Sequence, residues 1–172
     1  MKAHCNISGK LHGKVHFEQK NKNDLLHIYG RVCGFKESEL GLKGFHVHEG
    51  NKMKGYCCGQ GLAAHFNPFN TTHGDITDDP FNNDDGIKTR HAGDLGNILV
   101  DTYCENCDSW CSIIDIEDDV LSIYPRDITN IVNRGLVIHG QEDDLGLGGD
   151  KESLITGNAG KRVGFGVIKY DK

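Results

Sequence analysis

The sequence predicts an all-β protein, an antiparallel sandwich or barrel of eight short strands carrying two long functional loops. Three observations predict it. Twenty-three glycines against three prolines in 172 residues cut the chain into short segments. Those segments alternate apolar and polar residues, the period of a half-buried strand. No stretch carries sustained helical periodicity, no internal repeat is visible, and short strands without strong helices point to a sandwich or barrel.

Taken in order, residues 2–8 form a first strand. In 13–19, Val15 and Phe17 share one face. In the next run Leu26, Ile28 and Gly30 share a face, followed by Val32. Later strands are expected at 43–48, 94–100, 111–117, 135–139 and 162–170. Two connections, about 49–93 and 140–161, are far longer than ordinary turns, and loops of that length are usually functional or disordered. Both are flanked by histidine-bearing strands, which favours function.

The length suits one domain spanning 1–172, with a single core. Apolar runs stay as short as Ile98-Leu99-Val100, whereas a membrane helix needs about 20 such residues, so no membrane span is expected. The polar start Met1-Lys2-Ala3-His4-Cys5-Asn6 does not read as a signal peptide, and a cytoplasmic location is expected. A net charge of −6 argues against general nucleic-acid binding, which needs a basic surface. It leaves room for a small anionic substrate, because the local field at a cleft outweighs the total. Seven cysteines leave at least one thiol unpaired within the chain, and a reducing compartment keeps most of them free or metal-bound.

The strongest local signal is Gly44-Phe45-His46-Val47-His48-Glu49. Residues two apart on a strand point the same way, so His46 and His48 can present two imidazoles to one ion. The pair is weak alone. It is joined by His65-Phe66-Asn67-Pro68, His73-Gly74, the run Arg90–Asn97 containing His91 and Asp94, and Leu136-Val137-Ile138-His139-Gly140. Neutral imidazole suits zinc and copper, and a carboxylate added to histidines suits tetrahedral zinc. His4, His12, His16 and His27 lie in early strands and are read as solvent-facing or core-edge side chains.

With GFHVHE at 44–49, HFNP at 65–68, RHAGDLGN at 90–97, DDLG at 143–146 and GNAGKR at 157–162, the chain resembles the copper/zinc superoxide dismutase family over nearly its whole length. The resemblance implies an eight-stranded Greek-key sandwich. It implies copper held by His46, His48, His65 and His139, and zinc by His65, His73, His91 and Asp94, with His65 shared. It implies that Asp143 ties a copper histidine to a zinc histidine, and that Arg162 stands at the rim of the copper channel as a catalytic residue alongside His65. The implied reaction converts superoxide to oxygen and hydrogen peroxide by alternate reduction and reoxidation of copper, with zinc as structural partner. A symmetric homodimer and a copper-loading chaperone are the implied partners. The alternative is a non-catalytic copper/zinc-binding homologue, a metal buffer or chaperone-like domain.

The sequence departs from the family in four places. The usual disulfide would join Cys57 or Cys58 in the first long loop to the last strand, but Phe165 stands where the partner cysteine is expected, so the partner is unknown. Cys104, Cys107 and Cys111 lie in an apparent insertion and are read as reduced thiols on a hairpin, with a soft-metal site or a disulfide as alternatives. Asp75, Asp78, Asp79, Asp84 and Asp85 fill an acidic segment between His73 and His91, read as a solvated loop. Lysines usual in the second loop are replaced by Gln141 and Ile155, with Lys151 a partial substitute, so weaker electrostatic steering is expected.

Overall fold

The computed structural model describes residues 1–53, 59–79, 81 and 89–172. Eight antiparallel strands, β1 (Lys2–Gly9), β2 (His12–Glu18), β3 (Leu26–Phe35), β4 (Gly41–His48), β5 (Asp94–Cys104), β6 (Ser109–Asp118), β7 (Gly135–His139) and β8 (Arg162–Val167), make the barrel. Their hydrogen-bonded order is β2-β3-β6-β5-β4-β7-β8-β1, and β1 pairs back onto β2, so the sheet closes. Closure removes the free edges that an open sheet would expose. The connection from β3 to β4 crosses β6 and β5, and that from β6 to β7 crosses β5 and β4. These two crossings give the Greek-key topology.

Alternation decides what lies inside. Ala3, Cys5 and Ile7 of β1, Val15 and Phe17 of β2, Leu26, Ile28 and Val32 of β3, and Ile98 and Val100 of β5 all enter one core. Each large apolar side chain so buried contributes about 1.5–3 kcal/mol. On β4 the same rule sends Phe45 and Val47 into that core and leaves His46 and His48 on the other face, yet those two are buried as well. The two long connections cover them. The first returns to β4 through Phe66 N–H bonded to Val47 O and a bridge pairing His48 with His65. The second contains the one α-helix among the described residues, α1 (Ser153–Thr156).

Two expectations are corrected. The strand expected over 162–170 is broken at buried Ile168, whose N–H bonds Arg134 O and whose carbonyl takes the Asn133 N–H; a two-residue ninth strand, β9 (Lys169–Tyr170), then pairs with β1. The hairpin expected around Cys104–Cys111 is present, and its strands are longer than expected. Strands β5 and β6 run on through it after a bulge between Val100 and Thr102, and the rings of Tyr103 and Trp110 pack 5.4 Å apart beside the turn. Finally, Cys111 is not reduced. It forms a disulfide with Cys33, its register partner on β3. Cys104 and Cys107 are free thiols, as expected. Cys57 and Cys58 lie outside the described residues, as do Asp84 and Asp85.

Candidate metal centre

All seven histidine and aspartate positions singled out as ligands converge. Single ligand atoms of His46, His48, His65 and His139 lie within 4.8 Å of one another, as do those of His65, His73, His91 and Asp94. His65 belongs to both groups. Its ring centroid is 4.1 Å from that of His46 and 4.9 Å from that of His48 on one side, and 5.3 Å from that of His73 on the other. Four other histidines stay apart: His4 bonds Asp171, His27 bonds Asp115, His16 stacks on Tyr29, and His12 belongs to neither group.

One nitrogen of most rings is committed to the protein, which sets what the other can do. His48 Nδ1–H donates to Ala63 O at 2.9 Å and His139 Nδ1–H to Gly160 O at 3.0 Å, so each Nε2 keeps its lone pair. His46 Nε2–H donates to Asp143 Oδ2 at 2.6 Å, leaving Nδ1. His73 Nε2–H donates to the other oxygen of Asp143 at 2.7 Å. Asp143 thus joins one ring of each group, as the resemblance implies. The three nitrogens left over in the first group, His46 Nδ1, His48 Nε2 and His139 Nε2, are buried without a hydrogen-bond partner. Buried polar atoms are rarely left so. Lone pairs aimed at a common point are what a cation would satisfy.

The second group gathers on Asp94. Its carboxylate oxygens lie 2.8 Å from His65 Nδ1, 2.9 Å from His73 Nδ1 and 3.2 Å from His91 Nδ1. Three Nδ1 atoms around one carboxylate are a donor set that tetrahedral zinc accepts. Asp94 also receives the N–H of His91 at 2.8 Å and of Gly74 at 3.3 Å.

The two groups differ in electrostatics. Burial, then the crowding of His65, pushes His46 and His48 well below the usual imidazole range. Burial likewise lowers His139 to about 4. These rings are held neutral, the form in which imidazole is a ligand. Burial also opposes charge on His73, but hydrogen bonds to Asp143 and Asp94 outweigh it and raise the ring to about 10. Burial pushes Asp94 upward, and its contacts with His65, His73 and His91 reverse that, holding it well below the carboxylate range. His46, His48 and His139 are neutral nitrogen donors; around Asp94 the site attracts positive charge.

Above the first group lies a cleft of about 390 Å³ lined by His48, His65, His139, Gln141, Glu152, Ile155 and Arg162, among others. Arg162 does more there than the rim position implies. Its guanidinium donates to Gly59 O at 2.6 Å and Ala63 O at 2.5 Å, gripping the loop whose Ala63 carbonyl also fixes His48. Phe165, standing where a cysteine was expected, packs its ring against the Gly59 backbone so closely that an added Cβ would sit 3.2 Å from it.

Several contributors escaped the sequence reading. Asn97 Nδ2 donates to Asp143 O at 2.9 Å and Asn97 Oδ1 accepts the Asp143 N–H at 2.8 Å, pinning the second loop to β5. Gly157, at φ +64, passes so near that an added Cβ would be 1.9 Å from Asp143 Oδ1. Fully buried Arg90 donates to Asp94 O at 2.9 Å and Asp118 Oδ2 at 2.7 Å, bracing the turn that carries His91 and Asp94. Asn97 and Arg90 stood inside a quoted motif without a role; the Ala63 and Gly160 carbonyls carry no side-chain signature.

A closed Greek-key barrel bearing an all-imidazole pocket fused through one ring to a three-histidine, one-aspartate pocket defines a binuclear metalloprotein. A family-wide sequence profile described as copper/zinc superoxide dismutase matches residues 11–168. The chain is 39% identical over 173 aligned residues to copper/zinc superoxide dismutase 5 of Dictyostelium discoideum, covering 100% of this chain and 99% of that one. It is 39% identical over 166 residues to a copper/zinc superoxide dismutase of Paramecium bursaria Chlorella virus 1, covering 96% of this chain and 76% of the relative. The chain belongs to the copper/zinc superoxide dismutase family, and it is an enzyme of that type.

Proposed function

We propose that this chain disproportionates superoxide at a centre in which His46 Nδ1, His48 Nε2, His65 Nε2 and His139 Nε2 hold copper, and His65 Nδ1, His73, His91 and Asp94 hold zinc. The observation that carries the reading is the set of three buried, unpartnered nitrogens facing the ring that the two groups share. Bound copper supplies one-electron redox chemistry that zinc cannot.

The protein supplies the rest. Backbone carbonyls of Ala63 and Gly160 and the carboxylate of Asp143 lock three rings in the tautomer that leaves the inward nitrogen free. Such outer bonds fix ring orientation as well as basicity. His65 is anchored at Nδ1 beside Asp94, so Nε2 stays at the floor of the cleft, where it can hold a proton and pass it to departing peroxide. Arg162 keeps a permanent positive charge on the cleft wall; a guanidinium does not lose its proton near neutral pH and offers five donors. Two of those contacts are spent on the loop, which fixes where the charge points.

The decisive experiment is superoxide consumption by protein of measured copper and zinc content, against a metal-free control. His139→Ala should lose copper and activity while keeping the barrel; full copper occupancy in that variant would refute the ligand assignment. The non-catalytic alternative is not favoured, because every ligand position is filled and Arg162 lines the cleft. The reading extends to a symmetric homodimer, tested by sedimentation, and to chaperone-assisted copper loading, tested by comparing copper content of protein made with and without such a partner. It also extends to a cytoplasmic setting, where free thiols such as Cys5, Cys104 and Cys107 persist; cell fractionation tests that.

A further inference from the structure

Four of the seven cysteines meet at one place that the histidine centre does not use. Cys33 on β3 and Cys111 on β6 face each other in register, and Cys104 and Cys107 bracket the turn from β5 to β6. One sulfur from each lies within 4.8 Å of the other three. A bulge between Cys33 and Phe35 turns the Gly34 N–H onto Ser109 Oγ at 3.2 Å, and that hydroxyl donates to Cys107 Sγ at 3.3 Å. Cys104 receives the backbone N–H groups of Cys107 and Asn106 and lies near the positive Arg31, and these, after a hydrogen bond with Cys107, lower its thiol below the ordinary value. Amide hydrogens converging on a sulfur stabilise its thiolate.

We propose that Cys33, Cys104, Cys107 and Cys111, once all four are reduced, form a tetrahedral thiolate site for zinc, distinct from the histidine centre. The residue set is that of a closed structural zinc site: a C-x-x-C pair on a tight turn and two further sulfurs from adjoining strands. A zinc–sulfur bond of about 2.3 Å places the sulfurs at roughly 3.8 Å from each other, which small side-chain rotations reach from the observed spacing. Cys33 and Cys111 are buried while Cys104 and Cys107 are half-exposed, giving a closed floor and an open door.

The Cys33–Cys111 disulfide and the ion are alternatives, because a sulfur bonded to sulfur is not a thiolate ligand. A small dithiol delivers two electrons and two protons to that bond and leaves as its own cyclic disulfide. The four thiols then release four protons as zinc binds, forming a site of net charge −2 that Arg31 partly offsets. Hydrogen peroxide, the product of the proposed reaction, would take two electrons from the same pair and leave as two waters with two protons from solvent, restoring the disulfide and expelling the ion.

Cobalt(II) is the probe, since thiolate ligation gives a near-ultraviolet charge-transfer band that histidine and aspartate pockets do not. Dithiol-reduced protein, its histidine centre loaded with copper and zinc, should take up one further equivalent of cobalt with that band, and one equivalent of zinc should abolish it. The band should vanish in the oxidised protein and in Cys104→Ser, and persist in the Cys57→Ser/Cys58→Ser double variant. Cys104 lies at the exposed end of the hairpin, and unchanged circular dichroism would show that the variant folds. Absence of the band in the reduced protein overturns the proposal. So does a band that survives Cys104→Ser or is lost with Cys57 and Cys58.

Discussion

Asp143 shows how much one carboxylate can decide. Its two oxygens each accept a ring N–H, from His46 and from His73, and its backbone is clamped by Asn97. Asparagine offers one acceptor in place of two, so Asp143→Asn releases the tautomer of one ring on one side of the centre. Copper or zinc affinity should fall about 10–100-fold, the usual cost of losing an outer-shell partner, as read by competition with a chelator. Arg162 invites a finer dissection, because it both carries charge and holds a loop. Arg162→Ala should slow superoxide consumption on the order of ten-fold at low salt with copper content unchanged, and turnover equal to the parent would refute its role. Arg162→Lys keeps the charge but loses the paired grip on Gly59 and Ala63, so it should recover part of the rate while hydrogen exchange around Leu62, whose N–H bonds Gly59 O, stays fast.

At the scale of elements, the barrel positions the histidines and the two long connections finish the site. Strand β4 was legible from sequence because period-2 alternation is a local property: Phe45 and Val47 go one way, His46 and His48 the other. Why the second face is also buried was not legible, since it depends on chain returning from 65 and 143, far away in sequence. The same limit hid the Cys33–Cys111 bond. Both cysteines were in plain view, but their pairing follows from the β3–β6 register, which one sequence does not state. Five of the seven ligands were legible inside the motifs GFHVHE, HFNP and RHAGDLGN, and His73 and His139 in the short histidine runs His73-Gly74 and Leu136–Gly140, whereas Ala63 and Gly160 act through carbonyls that every residue has. Arg90 illustrates an element held from within. Its pairing with Asp118 is fully buried, and Asp118 in turn accepts the N–H groups of Val120 and Leu121. Removing one partner of a buried pair strands the other charge, so Asp118→Ala should cost about 3–5 kcal/mol in denaturant unfolding. Zinc retention should weaken with it, because the turn holding His91 and Asp94 loses its brace.

For the whole molecule, charge is the open lever. The net charge is −6, and the cleft that must admit an anion has Glu152, Gln141 and Ile155 on its wall beside Arg162; Lys151 next to them is exposed. Attraction here comes from few groups, so the rate should depend only weakly on ionic strength. Glu152→Lys should raise the low-salt rate several-fold and steepen that dependence; a rate unmoved by the change would show that the overall field governs approach. A last consequence belongs to the shared ring and the bridging carboxylate together. Two binding events that use His65 and Asp143 in common cannot be thermodynamically independent. The first ion to arrive bears the ordering cost of groups the second also needs, so loading should be cooperative. Reciprocity then requires zinc to strengthen copper binding by the same factor by which copper strengthens zinc binding. A protein built this way favours empty and doubly filled forms, and half-metallated molecules should be scarce at equilibrium.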